Sequence, residues 1–490
     1  MLKKIESKIR HFDSFKWGFV LVFVNIIKQI VLVPFFLSGV GKEQYSLWLI
    51  FASVIFLIRA INLGQLNYSS NVININYHSK SDLRDEIGAS LGSNFILIGL
   101  QLLVGCVISM PFFLTKITGF NLDKILELNS SLVFMLLLFT RIAHQFFSLF
   151  YLRLLEPLGK ISKKIKYDAI GEFIDILATM ILIFLTKNLL FVSLGILVFN
   201  FIYFLISYNI LKNQLKLFFV GVKINFNKSI EVIVNSTSLL ISFIIEKLYE
   251  NGLNIFITSF YSPLKVPLFS TTRTVSNLSI RCSLVISEPL MPNLQKNFSN
   301  KDFEGIFENF IYYWKITFFP ILVVFSLLLP FIEDLYVFWT LGEINFNYEL
   351  FVWVFLSVFF LNYSSVISQF FRRTNYAKQL IFFNLVKTVV TLAVLYFYGI
   401  TDNITGAGIA VFIGEFLSSC IIISLIYRIY GRIFFLKIFK YFLMCIAFSI
   451  NSILFLELKN YVLFIALNFL IILYNVKGYF FNTKNSSSNS

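Results

Sequence analysis

Residues Trp17–Leu37 read WGFVLVFVNIIKQIVLVPFFL, an almost unbroken apolar run with a single lysine near its middle. A run of roughly 17–25 apolar residues is long enough to cross a bilayer as a helix. This one is longer than the apolar core of a cleavable signal and has no small-residue cleavage site after it, so it is expected to stay as a first membrane helix. Working outward, it belongs to a span at 17–38, and comparable runs follow near 44–66, 92–114, 130–152, 169–187 and 189–211. A second set lies near 230–258, 264–290, 310–332, 349–371, 379–400 and 407–427, and then come 441–456, the shortest, and 460–476. The expected fold is therefore all-α and polytopic, with about 14 transmembrane helices.

Composition leads to the same class. The 490 residues are 58% apolar and 14% charged, with 61 phenylalanines and a mean hydropathy of +0.80. A soluble protein carries roughly 25% charged residues, and there is too little polar surface here to cover a water-soluble globule. The four cysteines (Cys106, Cys282, Cys420, Cys445) stand singly in apolar runs, and His11, His78 and His144 lie far apart. Neither a disulfide framework nor a zinc spacing can be read from them.

A formal charge of +15 raises the question of nucleic acid, and its distribution answers it. With the N-terminus inside, 27 of the 41 Lys and Arg residues fall in cytoplasmic segments, including Lys3, Lys80, Arg153, Lys212, Arg372, Arg428 and Lys477. Only 6 (Lys42, Lys116, Lys124, Lys187, Lys265, Lys459) fall on the opposite side. That asymmetry follows the positive-inside rule. Both termini are expected in the cytoplasm, and no nucleic-acid face is implied.

The connectors are short, about 15 residues at Thr115–Asn129 and at Glu333–Tyr348, too short to fold into a domain outside the membrane. The mixed basic and apolar stretch 213–229 is expected to lie along the membrane surface and to join two six-helix lobes around a central cavity, 1–212 and 213–440. Spans 13 and 14 (441–476) follow, and the polar tail 477–490 is expected to be disordered. An echo supports two halves: Lys28 and Arg59 on spans 1 and 2 are matched by Lys247 and Arg281 on spans 7 and 8.

Ionisable residues inside apolar spans carry the functional information. Well within the spans, seven basic ones (Lys28, Arg59, Arg141, Lys247, Arg273, Arg281, Lys387) meet five acidic ones (Glu172, Asp175, Glu246, Glu250, Glu415). Each costs roughly 2.5–3.5 kcal/mol at a helix centre. If all faced lipid the cost would be on the order of 30–40 kcal/mol, above a net stability of roughly 5–15. They must face other helices or water, and their spacing agrees. Arg141, His144, Gln145 and Ser148 share one helical face, as do Asp168, Glu172, Asp175 and Thr179, and also Arg273, Asn277 and Arg281.

Two readings of these stripes stand side by side. Arg141 and His144 either pair structurally with Glu172 or Asp175 or serve a substrate, and Lys247 is the more readily structural of the set. Lys28, Arg59, Arg141, Arg273 and Arg281 are the candidate substrate-binding cations of a wet cavity, and Asp175, Glu246 and Glu250 the candidate ion-coupling sites. The basic surplus favours an anionic ligand. Gly406-Ala-Gly408 opens an apolar span with no strand before it, so it is expected to permit close helix packing rather than to cradle phosphate. No Ser/His/Asp set or metal cluster is visible, and neither an enzyme nor a resident cofactor is expected.

At Pro34–Gln65 (PFFLSGVGKEQYSLWLIFASVIFLIRAINLGQ) the chain resembles the entry of polysaccharide transporters of the MATE-like flippase superfamily, with a proline-bearing first helix and a Gly-x-x-x-Tyr turn. Tyr261–Leu294, with LFSTTRTVSNL and SEPLMPNL, is similar to the family's seventh-to-eighth helix passage, and Asn403–Glu415 (NITGAGIAVFIGE) resembles the opening of its twelfth helix. The subgroup most resembled is the Wzx-type O-antigen flippases. The resemblance implies alternating access by two lobes and transfer of polyprenyl-diphosphate-linked oligosaccharide repeat units across the bacterial cytoplasmic membrane. It also implies coupling to Na+, H+ or the membrane potential, membrane lipids as partners, and work alongside a polysaccharide polymerase and a chain-length regulator. In related lipid II flippases the last two helices help form a groove for the lipid tail. Two other readings remain: a multidrug or metabolite antiporter of the same fold, and an O-antigen polymerase, against which the short outside loops speak.

Arg273 and Arg281 give this reading its sharpest test. Alanine at either is expected to abolish transport, scored by complementation, while membrane insertion stays intact. Full activity in both variants would remove α-helical span 8 from the cation site.

Overall fold

The computed structural model describes residues 2–78, 83–374 and 377–470. The expected tail 477–490, the end of the last span (471–476) and Lys80 lie outside the described residues. Every described element is a helix.

Helix α1 (Leu2–His78) is 77 residues long, about 115 Å if straight, against a bilayer core of about 30 Å. It breaks into two spans at Gly41, whose φ of 80° and ψ of 169° belong to a region essentially confined to glycine. Next come α2 (Arg84–Ser109), α3 (Pro111–Thr118), α4 (Leu122–Glu127) and α5 (Ser130–Phe146). The third span begins and ends earlier than its hydropathy window. Met110 precedes Pro111 and takes an extended conformation (ψ 135°), as the residue before proline prefers, and Pro111 starts the new helix α3. After α5 the chain widens into a π turn at Phe147–Tyr151 and tightens into a 3-10 turn at Leu152–Leu155.

Helices α6 (Ile161–Thr186) and α7 (Leu189–Leu215) follow. Between α7 and the next helix lie a 3-10 turn at Lys216–Phe218 and irregular chain through 225, with Leu217, Val220, Ile224 and Phe226 exposed. The seventh span, a single run in the sequence, is three helices: α8 (Phe226–Asn235), α9 (Thr237–Glu250) and α10 (Gly252–Phe260). The α8–α9 bend is 55°. The hydroxyls of Ser236 and Thr237 both donate to the Ile233 carbonyl, at 2.9 and 3.2 Å. Such local side-chain bonds compete with the helical ladder and bend it.

The remaining helices are α11 (Val266–Ser299), α12 (Phe303–Leu328), α13 (Ile332–Trp339), α14 (Tyr348–Arg373), α15 (Ala377–Gly399), α16 (Thr405–Tyr430), α17 (Arg432–Leu458) and α18 (Tyr461–Leu470). Among the described residues ten helical stretches are long and apolar enough to cross a membrane, or eleven with the α8–α9 pair counted as one. The chain is a multi-pass membrane protein. The difference from the fourteen windows has physical causes. Lys16–Asn74 is one stretch holding two spans, α11 is too polar to pass, and only ten residues of α18 are described.

By contact density the chain forms two compact units, Met1–Ser270 and Thr271–Ser490. In the first, α8–α10 lie against α1 along its second half. A Cβ at Gly64 would come within 2.5 Å of the Leu240 backbone, and Asn254 Nδ2 donates to Ser53 Oγ at 3.0 Å. The second unit is built around α14, whose apolar window is 83% buried against 22–50% for the other nine. A helix enclosed on all sides needs apolar and aromatic residues all round. Trp314 stacks on Tyr363 at 4.8 Å and 9° while its indole N–H donates to the Tyr363 carbonyl. Gly406 and Gly408 admit Tyr398 and Trp353 to close contact, as the small-residue opening of α16 implies. Asn468 ties α18 into this unit, accepting from Asn451 at 2.7 Å and donating to Ser326 at 2.8 Å.

Gly431, between α16 and α17, repeats the conformation of Gly41 (φ 87°, ψ −179°), and a Cβ at either would meet open space. The constraint is in the backbone alone. Gly41→Ala and Gly431→Ala are each expected to cost about 1–3 kcal/mol, whereas Gly99→Ala, inside α2 with equal room, is expected to stabilise by about 0.5–1 kcal/mol. Thermal unfolding in detergent checks the opposite signs.

Candidate functional site

The first unit gathers polar side chains from four helices at one depth, three of them ionisable. Lys28, Arg141, Asp175 and Asn200 each lie about a dozen residues, roughly 18 Å of helix, from the same end of their spans, marked by Gly41, Asn129, Lys187 and Asn188. The helices come close enough for these side chains to meet because of small residues. A Cβ at Gly39 would meet Ile183 Cγ2 at 2.3 Å, bringing α1 onto α6, and one at Gly171 would meet the Tyr203 ring at 3.0 Å, bringing α7 onto α6.

Asp175 is the anchor, with its side chain only 3% exposed. Its Oδ2 accepts from Lys28 Nζ at 2.6 Å and from Arg141 Nη2 at 3.2 Å, and its Oδ1 accepts from Asn200 Nδ2 at 3.2 Å. Glu172, one turn away, accepts from Lys28 at 2.8 Å and lies 4.0 Å from His144 Nε2. Lys28, Arg141, His144 and Glu172 are 18–22% exposed, so the cluster opens on their side and closes at Asp175. Arg59 is held differently, by a neutral amide. Its Nε donates to Gln145 Oε1 at 3.2 Å, while Gln145 and Gln101 donate to its backbone carbonyl. Its guanidinium lies 5.5 Å from the Phe56 ring centroid. Leaving His144 aside, three bases face two carboxylates.

From Arg59 a seam of uncharged polar groups runs down α1 and α2. Asn62 donates to Asn94 at 2.5 Å and Gln65 to Ser93 at 2.6 Å, all four fully buried. Within the π turn, Ser148 donates to Asp168 at 2.6 Å, and Lys164 pairs with Asp168 at 3.2 Å.

The other sequence candidates lie elsewhere. On α9, exposed Glu250 accepts from Lys247 one turn before it, and Glu246 is half-buried. Arg273 and Arg281 sit two helical steps apart on α11 in the second unit, the first half-buried and the second exposed. That unit has its own buried pair, Lys387 Nζ on Glu415 Oε1 at 3.1 Å. The sequence stripes did not include Asn200, whose apolar surroundings hide it, nor the link from Lys28 to α6. A shared depth in the membrane was the available signal for both.

Neither a protein-family model nor a curated protein sequence matches the chain. Solved structures do match in fold. The lipid II flippase MurJ, in an inward closed conformation, aligns with a TM-score of 0.69 at 14% identity, over 96% of this chain and 99% of its own. An inward-facing multidrug resistance MATE family transporter of the MOP superfamily aligns at 0.60 and 15% identity, over 86% and 96%. A MOP superfamily transporter from Pyrococcus furiosus, described as having a binding pocket of reverse polarity that suggests a different function, aligns at 0.54 and 14%, over 88% and 95%. The chain therefore has the fold of the MATE and MurJ transporters.

Removing the anchor leaves two cations on one vanished partner. Asp175→Ala is expected to cost about 3–5 kcal/mol, the usual loss when one member of a buried ion pair goes. Thermal unfolding of the purified protein measures it, and a loss under about 1 kcal/mol would mean that water already solvates the cluster.

Proposed function

We propose that the protein is a flippase for polyprenyl-diphosphate-linked oligosaccharide repeat units, moving them from the cytoplasmic to the outer leaflet of a bacterial cytoplasmic membrane. The observation that carries this reading is the basic surplus of the intramembrane cluster, with Lys28, Arg59 and Arg141 against Glu172 and Asp175. A diphosphate is held best by several Arg and Lys donors in a site of low dielectric. Arg59, with an amide rather than a carboxylate on its Nε, is the donor best placed to exchange its partner for an incoming phosphate. The partial exposure of the cluster gives that phosphate a side to approach. The alignment with MurJ over almost all of both chains supports a lipid-linked cargo.

In this reading the apolar tail stays in lipid while the charged head crosses through the protein. Arg59 and Arg141 capture the head on the cytoplasmic side, and alternating access then opens the site outward. An inside-negative potential favours that direction, by about 4.6 kcal/mol per 100 mV for a head carrying two negative charges. Both termini face the cytoplasm, and a polymerase and chain-length regulator act on the delivered units. A second reading, an antiporter of the same fold, is favoured by the MATE alignment. The basic surplus weighs against cationic drugs as its cargo.

The test uses a deletion strain of the native host. Complete repeat units are expected to accumulate on polyprenyl diphosphate on the cytoplasmic face, to be cleared by the wild-type gene and not by Arg59→Ala. Single unpolymerised units at the surface would indicate a polymerase instead. Normal intermediates and normal surface sugar would leave the antiporter.

A further inference from the structure

Glu172 and Asp175 lie one turn apart on α6 and converge on a single point, 2.8 Å from Glu172 Oε2 and 2.6 Å from Asp175 Oδ2. Converging carboxylate oxygens in a buried setting are the donors that hard cations take. Here the point is held by Lys28 Nζ, delivered from α1. The other titratable groups facing it are Arg141, on the same Asp175 oxygen, the His144 imidazole, 4.0 Å from the second Glu172 oxygen, and Arg59 beyond them. Asn200 occupies Asp175 Oδ1. Both carboxylates are thus neutralised from within the chain, and the ring of bases opposes any further cation.

We propose that Glu172 and Asp175 form a monovalent-cation site filled by the chain's own Lys28 ammonium, so that this pair exchanges neither sodium nor another small cation during transport. The proposal deepens the reading above by assigning Lys28 and Asp175 to a fixed internal counter-ion rather than to ion coupling or to cargo contact. A tethered ammonium is always present at a high effective concentration and needs no ion from solution. The second unit holds a comparable device. Lys387 sits on Glu415 at 3.1 Å, with both side chains buried. On α9, Lys247 covers Glu250.

The purified full-length protein in detergent tests this by thermal unfolding, with sodium, lithium or potassium chloride exchanged for choline chloride at constant ionic strength. Wild type and Lys28→Arg are expected to shift by less than about 1 °C. Lys28→Ala is expected to become saturably stabilised by several degrees with sodium, lithium or methylammonium, as binding to the native state alone requires, and Lys28→Ala/Asp175→Asn is expected to lose that response. Saturable stabilisation of the wild type by sodium or lithium, absent in Asp175→Asn, would overturn the proposal. So would a folded Lys28→Ala that responds to none of these cations. The wild-type measurement decides alone if Lys28→Ala does not purify. Because the readout is binding and not transport, its failure leaves the cargo assignment standing, and failure of the cargo assignment leaves this result readable.

Discussion

The structure of the first unit depends on one constraint: a charge inside a membrane span must find its counter-charge within the protein. Lys28 and Asp175 meet it at 2.6 Å, and much of the local architecture follows. Span 1 must approach span 5 closely, which Gly39 allows against Ile183, and span 6 must bring Asn200 to the second Asp175 oxygen, which Gly171 allows against Tyr203. An unmatched ion costs roughly 2.5–3.5 kcal/mol at a span centre, comparable with a large part of a fold's net stability. Desolvation limits what such a pair adds to stability, and its better-attested role is to fix register and partner choice. Here it fixes which faces of α1, α5, α6 and α7 meet.

Functional consequences come from what is left over once that demand is met. Asp175 is saturated, Glu172 is bridged, and Arg59 keeps an amide partner. The cluster is closed at Asp175 and open where Lys28, Arg141, His144 and Glu172 reach it, and its basic surplus suits an anion. The guanidinium fork of Arg59 is the geometry that recognises phosphate oxygens in pairs. The neutral seam of Asn62, Asn94, Gln65 and Ser93 holds spans 2 and 3 together by hydrogen bonds without adding charge that would compete for that anion.

The spans were legible because hydropathy is a one-dimensional signal set by the thickness of the bilayer. Trp17–Leu37 and the run at 44–66 did become two spans, with the break at Gly41 inside the quoted Gly-x-x-x-Tyr turn. The seventh window hid three helices, since Ser236, Thr237 and Asn251-Gly252 are too few polar residues to lower a window average, yet their local bonds redirect the backbone. Helical spacing grouped Arg141 with His144 and Glu172 with Asp175, but it is silent on which helix faces which. Lys28 therefore read as a cation awaiting a substrate, and the structure pairs it with two carboxylates far away in sequence. Arg273 and Arg281 lie on one helix, the first half-buried and the second exposed.

The most direct test of the central claim, that a basic intramembrane cluster selects a diphosphate head, is lipid binding by the purified protein. Native mass spectrometry would compare undecaprenyl diphosphate with undecaprenol on wild type and on Arg59→Gln. The account predicts retention of the diphosphate lipid over the alcohol by wild type, with that preference reduced roughly tenfold or more in Arg59→Gln, as loss of one charge-assisted bond implies. Equal retention of both lipids by wild type would contradict it.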